Sequence, residues 1–201
     1  KREIHMRRHG EIIFKNNVSI ESTSSERIEG YRFTSTGKQG LQVRLNGFTF
    51  SRLKPYEQWD DFYHEAKRLW GLYKKVTTPK ITRVAVRFIN NLNIPVPIDD
   101  FGDYLTSPVT VPEGLPQGII SFLSRFAIHE SSIDAVAIIT QAMESLVDPK
   151  YAPIILDIDT MKEYPDTIDG EEAWEMISKL RNFKNDIFFK SITDRLKELY
   201  L

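Results

Sequence analysis

The chain contains no cysteine. Disulfides, thiolate metal sites and a cysteine nucleophile are therefore excluded, and the composition fits a reducing, cytoplasmic setting. Long apolar runs are also missing. The longest, around Ala135 to Thr140, falls far short of the ~20 residues that a membrane-spanning helix needs, and no signal-peptide pattern opens the sequence. Nor is there an excess of either charge: 27 lysines and arginines stand against 28 aspartates and glutamates, a net charge of −1. No global field draws such a chain towards nucleic acid or an anionic membrane. No glycine-rich phosphate loop, G-x-S-x-G elbow or S-x-x-K arrangement occurs. The histidines are His5, His9, His64 and His129, and none stands at zinc spacing beside a glutamate. His5 and His9 are four apart, but they fall in KREIHMRRHG, which reads as a basic N-terminal arm carrying Lys1, Arg2, Arg7 and Arg8. No cofactor and no metal is expected.

What is present is ordinary globular material, 41% hydrophobic and 27% charged over 201 residues. That is enough for one large domain or two small ones with a self-sufficient core. Ile12 to Ile20 reads as a first strand, the polar stretch Ser22 to Glu26 as a loop, and Tyr31 to Thr34 as a second strand. Leu41, Val43 and Leu45 then alternate with polar residues up to Asn46-Gly47, after which Phe48 and Phe50 alternate in turn. Asn-Gly between alternating runs predicts a tight hairpin, because both turn residues need positive φ. With Asn46-Gly47 as the loop, Leu45 faces Phe48 and Val43 faces Phe50, and all five apolar residues share one sheet face. Pro55 stands at a candidate first helical position. Trp59, Phe62, Tyr63, Ala66, Leu69, Trp70 and Tyr73 follow at helical spacing, an aromatic stripe suited to packing on that hairpin.

Arg83 to Asn90 reads as a strand with Val84, Val86 and Phe88 on one side and Ala85, Arg87 and Ile89 on the other. Pro95 to Pro116 holds five of the ten prolines and reads as an irregular crossover with one helical turn near Asp99 to Tyr104. Beyond it, Ile120, Phe122, Phe126 and Ile128 alternate with Ser121 and Arg125. His129 to Asp134 reads as a turn. Val136, Ile138 and Thr140 mark a further strand, and Ile154, Leu156 and Ile158 another. Asp169 and Glu172 form a capping box for a helix carrying Trp174, Ile177 and Leu180. Asn185 to Tyr200 reads as a last amphipathic helix. The expected fold class is α+β: antiparallel sheet, single or as two abutting sheets, with long helices on one face. Two pseudo-repeated β-β-β-α halves, 1–94 and 119–201, flank a proline-rich crossover at 95–118 and are expected to form one integrated domain.

Several stretches together resemble a known pattern: GYRF at Gly30 to Phe33, QVRLNGFTFSRLKPYEQW at Gln42 to Trp59, RVAVRFINNLNIP at Arg83 to Pro95, ITQAMES at Ile139 to Ser145, PIILDIDT at Pro153 to Thr160 and ITDRLKELY at Ile192 to Tyr200. In this order they are similar to an uncharacterised, sporadically distributed family of bacterial and archaeal proteins. Lys1 to Ile28 matches it least. The resemblance implies no catalytic residue. Scattered occurrence is what mobile or defence-associated genes show, such as those of antitoxins and immunity factors, and this is an association rather than a mechanism.

If the apolar residues turn to the helices, Arg44, Arg87, Arg125, Asp157 and Asp159 emerge together on the opposite face, joined by Gln42, Thr49, Ser51 and Ser121. Several readings stay open. The face is a solvated surface with cross-strand ion pairs, a site for a ligand or another protein, or, through Asp157 and Asp159, a Mg²⁺ site for phosphodiester or nucleotide chemistry. The last of these lacks a third carboxylate, for which Glu144 and Glu163 are only guesses. Nucleic-acid binding through the basic arm and the sheet arginines is a further alternative, weakened by the neutral balance. The leading expectation is a non-enzymatic binding protein with another protein as partner. A homodimer through Phe188, Phe189, Leu196, Leu199, Tyr200 and Leu201 of the last helix is a second expectation.

Overall fold

The structure is a computed structural model that describes the backbone of residues 1–15, 19–44, 46–54, 58–143 and 150–200, with side chains outside 5–27. The protein is α+β, with two antiparallel four-stranded sheets and three α-helices among the described residues. It divides into two compact units, Lys1–Pro79 and Lys80–Leu201. No helix is long and apolar enough to cross a membrane.

In the first unit β1 (Arg2–Lys15), β2 (Ser19–Thr34), β3 (Gln39–Arg44) and β4 (Gly47–Arg52) form a meander in the order β1-β2-β3-β4. The basic segment expected to be a free arm is strand β1, and the polar TSSE stretch expected to be a loop lies inside β2. Each supplies the other's backbone partners, Arg8 opposite Glu26 and Gly10 opposite Ser24. Backbone pairing needs no apolar alternation, so composition alone misleads here. The β3–β4 hairpin forms with its register moved by two residues, Val43 facing Phe48 and Leu41 facing Phe50. An even shift leaves every side chain on its face. Leu45, one of the expected five, lies outside the described residues, as does Pro55. Helix α1 (Trp59–Val76) lays its aromatic stripe on that face: Phe50 stacks on Phe62 with centroids 4.9 Å apart, and Phe48 meets Trp70 at 5.4 Å and Tyr73 at 5.6 Å.

In the second unit β5 (Ile81–Pro95), β6 (Phe122–Glu130), β7 (Ala135–Met143) and β8 (Tyr151–Ile168) are ordered β5-β8-β7-β6. Helix α2 (Gly170–Ser191), capped by the Asp169 carboxylate accepting from Glu172 N–H at 2.8 Å, packs across β5 and β8. Its Leu180 is fully buried, and its Ile187, nearly so, belongs to one cluster with Leu92 and Ile94 of β5 and Ile154, Leu156 and Ile158 of β8. The proline-rich stretch expected to separate two halves lies within this unit. Tyr104 and Leu105 are buried in its core, and Leu105 bridges to Ile192. The helical turn there covers Phe101–Asp103.

Three local expectations change. The C-terminal segment is not one helix from Asn185: α2 runs through to Ser191, and α3 (Asp194–Glu198) starts afresh. Thr193 makes the break, accepting from Leu196 N–H while donating to the Asp103 carbonyl at 2.6 Å. In β7 the helix-facing residues are Ala135, Ala137, Ile139 and Met143 rather than Val136, Ile138 and Thr140. Both registers of AVAIITQAM are largely apolar, so only the pairing partners fix the phase. Finally, β6 begins at Phe122 and reaches Glu130, so Ile120 and Ser121 precede it and His129 belongs to the strand.

Candidate functional site

The helix-free face of the second sheet is built by alternation. Because Val86, Leu156 and Ile158 turn to α2, Arg87, Asp157 and Asp159 must turn away from it. Across the strands one row runs Ile89, Asp157, Thr140, Arg125, and the next Arg87, Asp159, Ile138, Ala127. Four of the five residues singled out in the sequence thus share a face. The fifth does not: Arg44 is in the first unit's sheet, opposite Gly30 and Gly47, with its carbonyl accepting from the Tyr73 hydroxyl at 3.3 Å. The β3–β4 hairpin completes its own sheet with β1 and β2, so the expectation of a single shared face fails for Arg44. Gln42, Thr49 and Ser51 belong to that first sheet too.

Within the remaining four, Arg87 faces Asp159 in register but bonds diagonally to Asp157. Its Nε donates to Oδ1 at 2.9 Å and its Nη2 to Oδ2 at 2.5 Å, a bidentate fork. The side chain of Asp157 is 16% exposed and that of Arg87 55%, so the carboxylate is held down on the sheet while the guanidinium keeps an open edge. These bonds raise the Arg87 proton affinity above its ordinary value. Burial pushes the Asp159 carboxyl above the usual range, the nearby guanidinium groups of Arg83 and Arg87 opposing it. Arg125 is two strands from Asp157, about 10 Å across the sheet, and reaches Asp159 only as a field that favours the charged carboxylate. Arg83 lies 3.6 Å from Glu163 at the end of the face.

Apolar residues that sequence reading left unweighted stand around this cluster. Ile89 is 61% exposed, Leu123 75% and Ile155 38%. Their signal was in the sequence, as isoleucine and leucine in the polar register of β5, β8 and β6. A buried lysine was missed altogether. Lys184, on the sheet-facing side of α2, is 7% exposed, with Nζ 3.9 Å from the centre of the Phe88 ring. Burial lowers its pKa to about 8, with Arg181 adding to the effect.

Two carboxylates are present, and the fork from Arg87 engages one bond at each oxygen of Asp157. Among the described residues no group of three or more metal-ligating side chains forms; Glu163 pairs with Arg83, and Glu144 lies outside them. His64 Nδ1 lies 2.7 Å from the Asp60 carbonyl and His129 Nε2 3.0 Å from Asp134 Oδ1, while the side chains of His5 and His9 are not described. Of the C-terminal apolar set, Leu196 is buried and Phe188 packs on the core; Phe189, Leu199 and Tyr200 are exposed. Comparison of the chain with family models, with curated proteins and with solved structures finds no match.

Proposed function

We propose that the chain is a non-enzymatic binding protein that recognises another protein through the helix-free face of its second sheet. The observation that carries this reading is the exposure of Ile89 and Ile155 beside the fixed Arg87–Asp157 fork, with exposed Leu123 two strands from Asp157 on the same face. A solvated antiparallel face is ordinarily polar. Apolar side chains set beside a positioned arginine match the composition of an interface centre, which is more apolar than the rim and enriched in arginine. The fork matters because it immobilises the guanidinium before binding, so less side-chain entropy is lost on contact. The resemblance to a sporadically distributed family accords with a partner in defence, as for an immunity or antitoxin-like factor.

Passage of a native-host extract over the immobilised chain tests this, with Ile89→Asp/Leu123→Asp and Arg87→Ala variants in parallel. A partner held by wild type is expected to lose at least roughly tenfold in affinity with either variant, as loss of a central anchor predicts. Equal retention by all three chains places recognition elsewhere.

A further inference from the structure

The second unit has two sheet edges, and they are treated differently. The β5 edge is guarded: Asn93 N–H donates outward to the Tyr200 hydroxyl at 2.8 Å, and the strand ends in Pro95. β6 carries neither proline nor lysine, has no bulge in its pairing to β7, and exposes Leu123 by 75%, Phe126 by 44% and Ile128 by 39%. Long, bulge-free edges with exposed apolar side chains are what folded proteins ordinarily protect.

The hydrogen-bond phase shows which backbone groups β6 offers. Since Asn93 points away from β8, its register neighbour Leu92 must bond to Ile154. In agreement, Val96 N–H donates to the Lys150 carbonyl at 3.1 Å. Ile154, committed to β5, leaves Met143 free to bond Phe122. By alternation, Leu123, Arg125, Ala127 and His129 direct their N–H and C=O groups away from β7.

We propose that β6 pairs with the β6 of a second copy, antiparallel about a two-fold axis at Ala127, making one continuous sheet from two. Charge and shape select this register. Arg125 then stands opposite the second copy's His129, whose ring holds Asp134 at 3.0 Å, so a carboxylate meets the guanidinium. Phe126 faces Ile128 in both directions and Ser124 faces Glu130. The two Arg125 side chains lie four positions apart, about 13 Å. An axis at Phe126 would bring them to about 7 Å, and one at Arg125 would oppose them directly. About six backbone hydrogen bonds form across the axis. The two-fold is normal to the sheet, so both Arg87–Asp157 faces lie on the same side of the assembly.

A second copy is the occupant because the register is self-complementary; an extended peptide and the exposed Phe189 and Leu199 surface are the rivals. Light scattering of the full chain is expected to give a two-chain mass at micromolar concentration. The cysteine-free background makes Ala127→Cys decisive, since opposed residues of a bonded pair are about 5.5 Å apart at Cα, within disulfide reach. Mild oxidation should link two copies of that variant, and Ala127→Pro should weaken the dimer at least roughly tenfold, while Phe189→Asp leaves the mass unchanged. A single-chain mass for wild type overturns the proposal, as does a dimer that Ala127→Cys does not link or that Phe189→Asp disrupts. A single chain that instead captures an added extended peptide overturns it in favour of peptide binding.

Discussion

Lys184 is the residue whose surroundings disagree most with its chemistry. A lysine on the sheet-facing side of α2 has little water for its ammonium, and the Phe88 ring face offers attraction of the order of 1 kcal/mol. Its folded-state pKa of about 8 lies below the ordinary 10.5. The unfolded chain therefore binds the proton more tightly, and the penalty is fully present below about 8 and fades as pH rises towards the ordinary value. Lys184→Met is expected to stabilise the protein by about 1–2 kcal/mol at neutral pH. Denaturant titrations across the alkaline range should show that gain shrinking; a gain independent of pH would assign it to packing instead. The Arg87–Asp157 fork contributes less to stability. With Arg87 more than half exposed, solvent screens the pair, and its coupling should stay below about 1 kcal/mol.

At the scale of elements, Gly30 joins the first sheet together. It pairs with His5 on one side and Arg44 on the other, beside a register shift between His5 and Met6. A Cβ there would lie 2.1 Å from the Val43 carbonyl oxygen and 2.7 Å from Arg44 Cα, both backbone atoms of the adjoining strand. These atoms cannot turn aside as a side-chain tip would. Gly30→Ala is expected to cost about 2–4 kcal/mol, the range of overpacking in a fixed site, measured as a fall in the thermal midpoint. An unchanged midpoint would mean that β2 and β3 can separate locally. The same reasoning explains why this residue opens the GYRF stretch: the position needs absence of a side chain, not polarity.

The whole molecule divides into two compact units. The buried cluster of the second is drawn from Leu92 to Leu196, and its four strands form a sheet of their own. A fragment spanning 80–201 is expected to fold alone, with one cooperative unfolding transition and sheet-plus-helix circular dichroism. A fragment that stays unfolded would show that the second unit depends on the first for its stability.

The sequence alone determined whatever follows from alternation within one strand. Val84 to Ile89 and Ile154 to Asp159 each bury one set of side chains, which puts Arg87 on the open side of its strand and Asp157 with Asp159 on the open side of theirs; the β5–β8 pairing then brings the three together. Local capping chemistry placed the start of α2 at Asp169. Tertiary structure decided everything that depends on choice of partner. It put Arg44 in a different sheet, moved the β3–β4 register by two, set the phase of β7 and turned the polar N-terminal stretch into paired strands. A strand's own residues fix which side chains share a face, but the strand beside it supplies the hydrogen bonds. That neighbour comes from far along the chain, where periodicity carries no information about it.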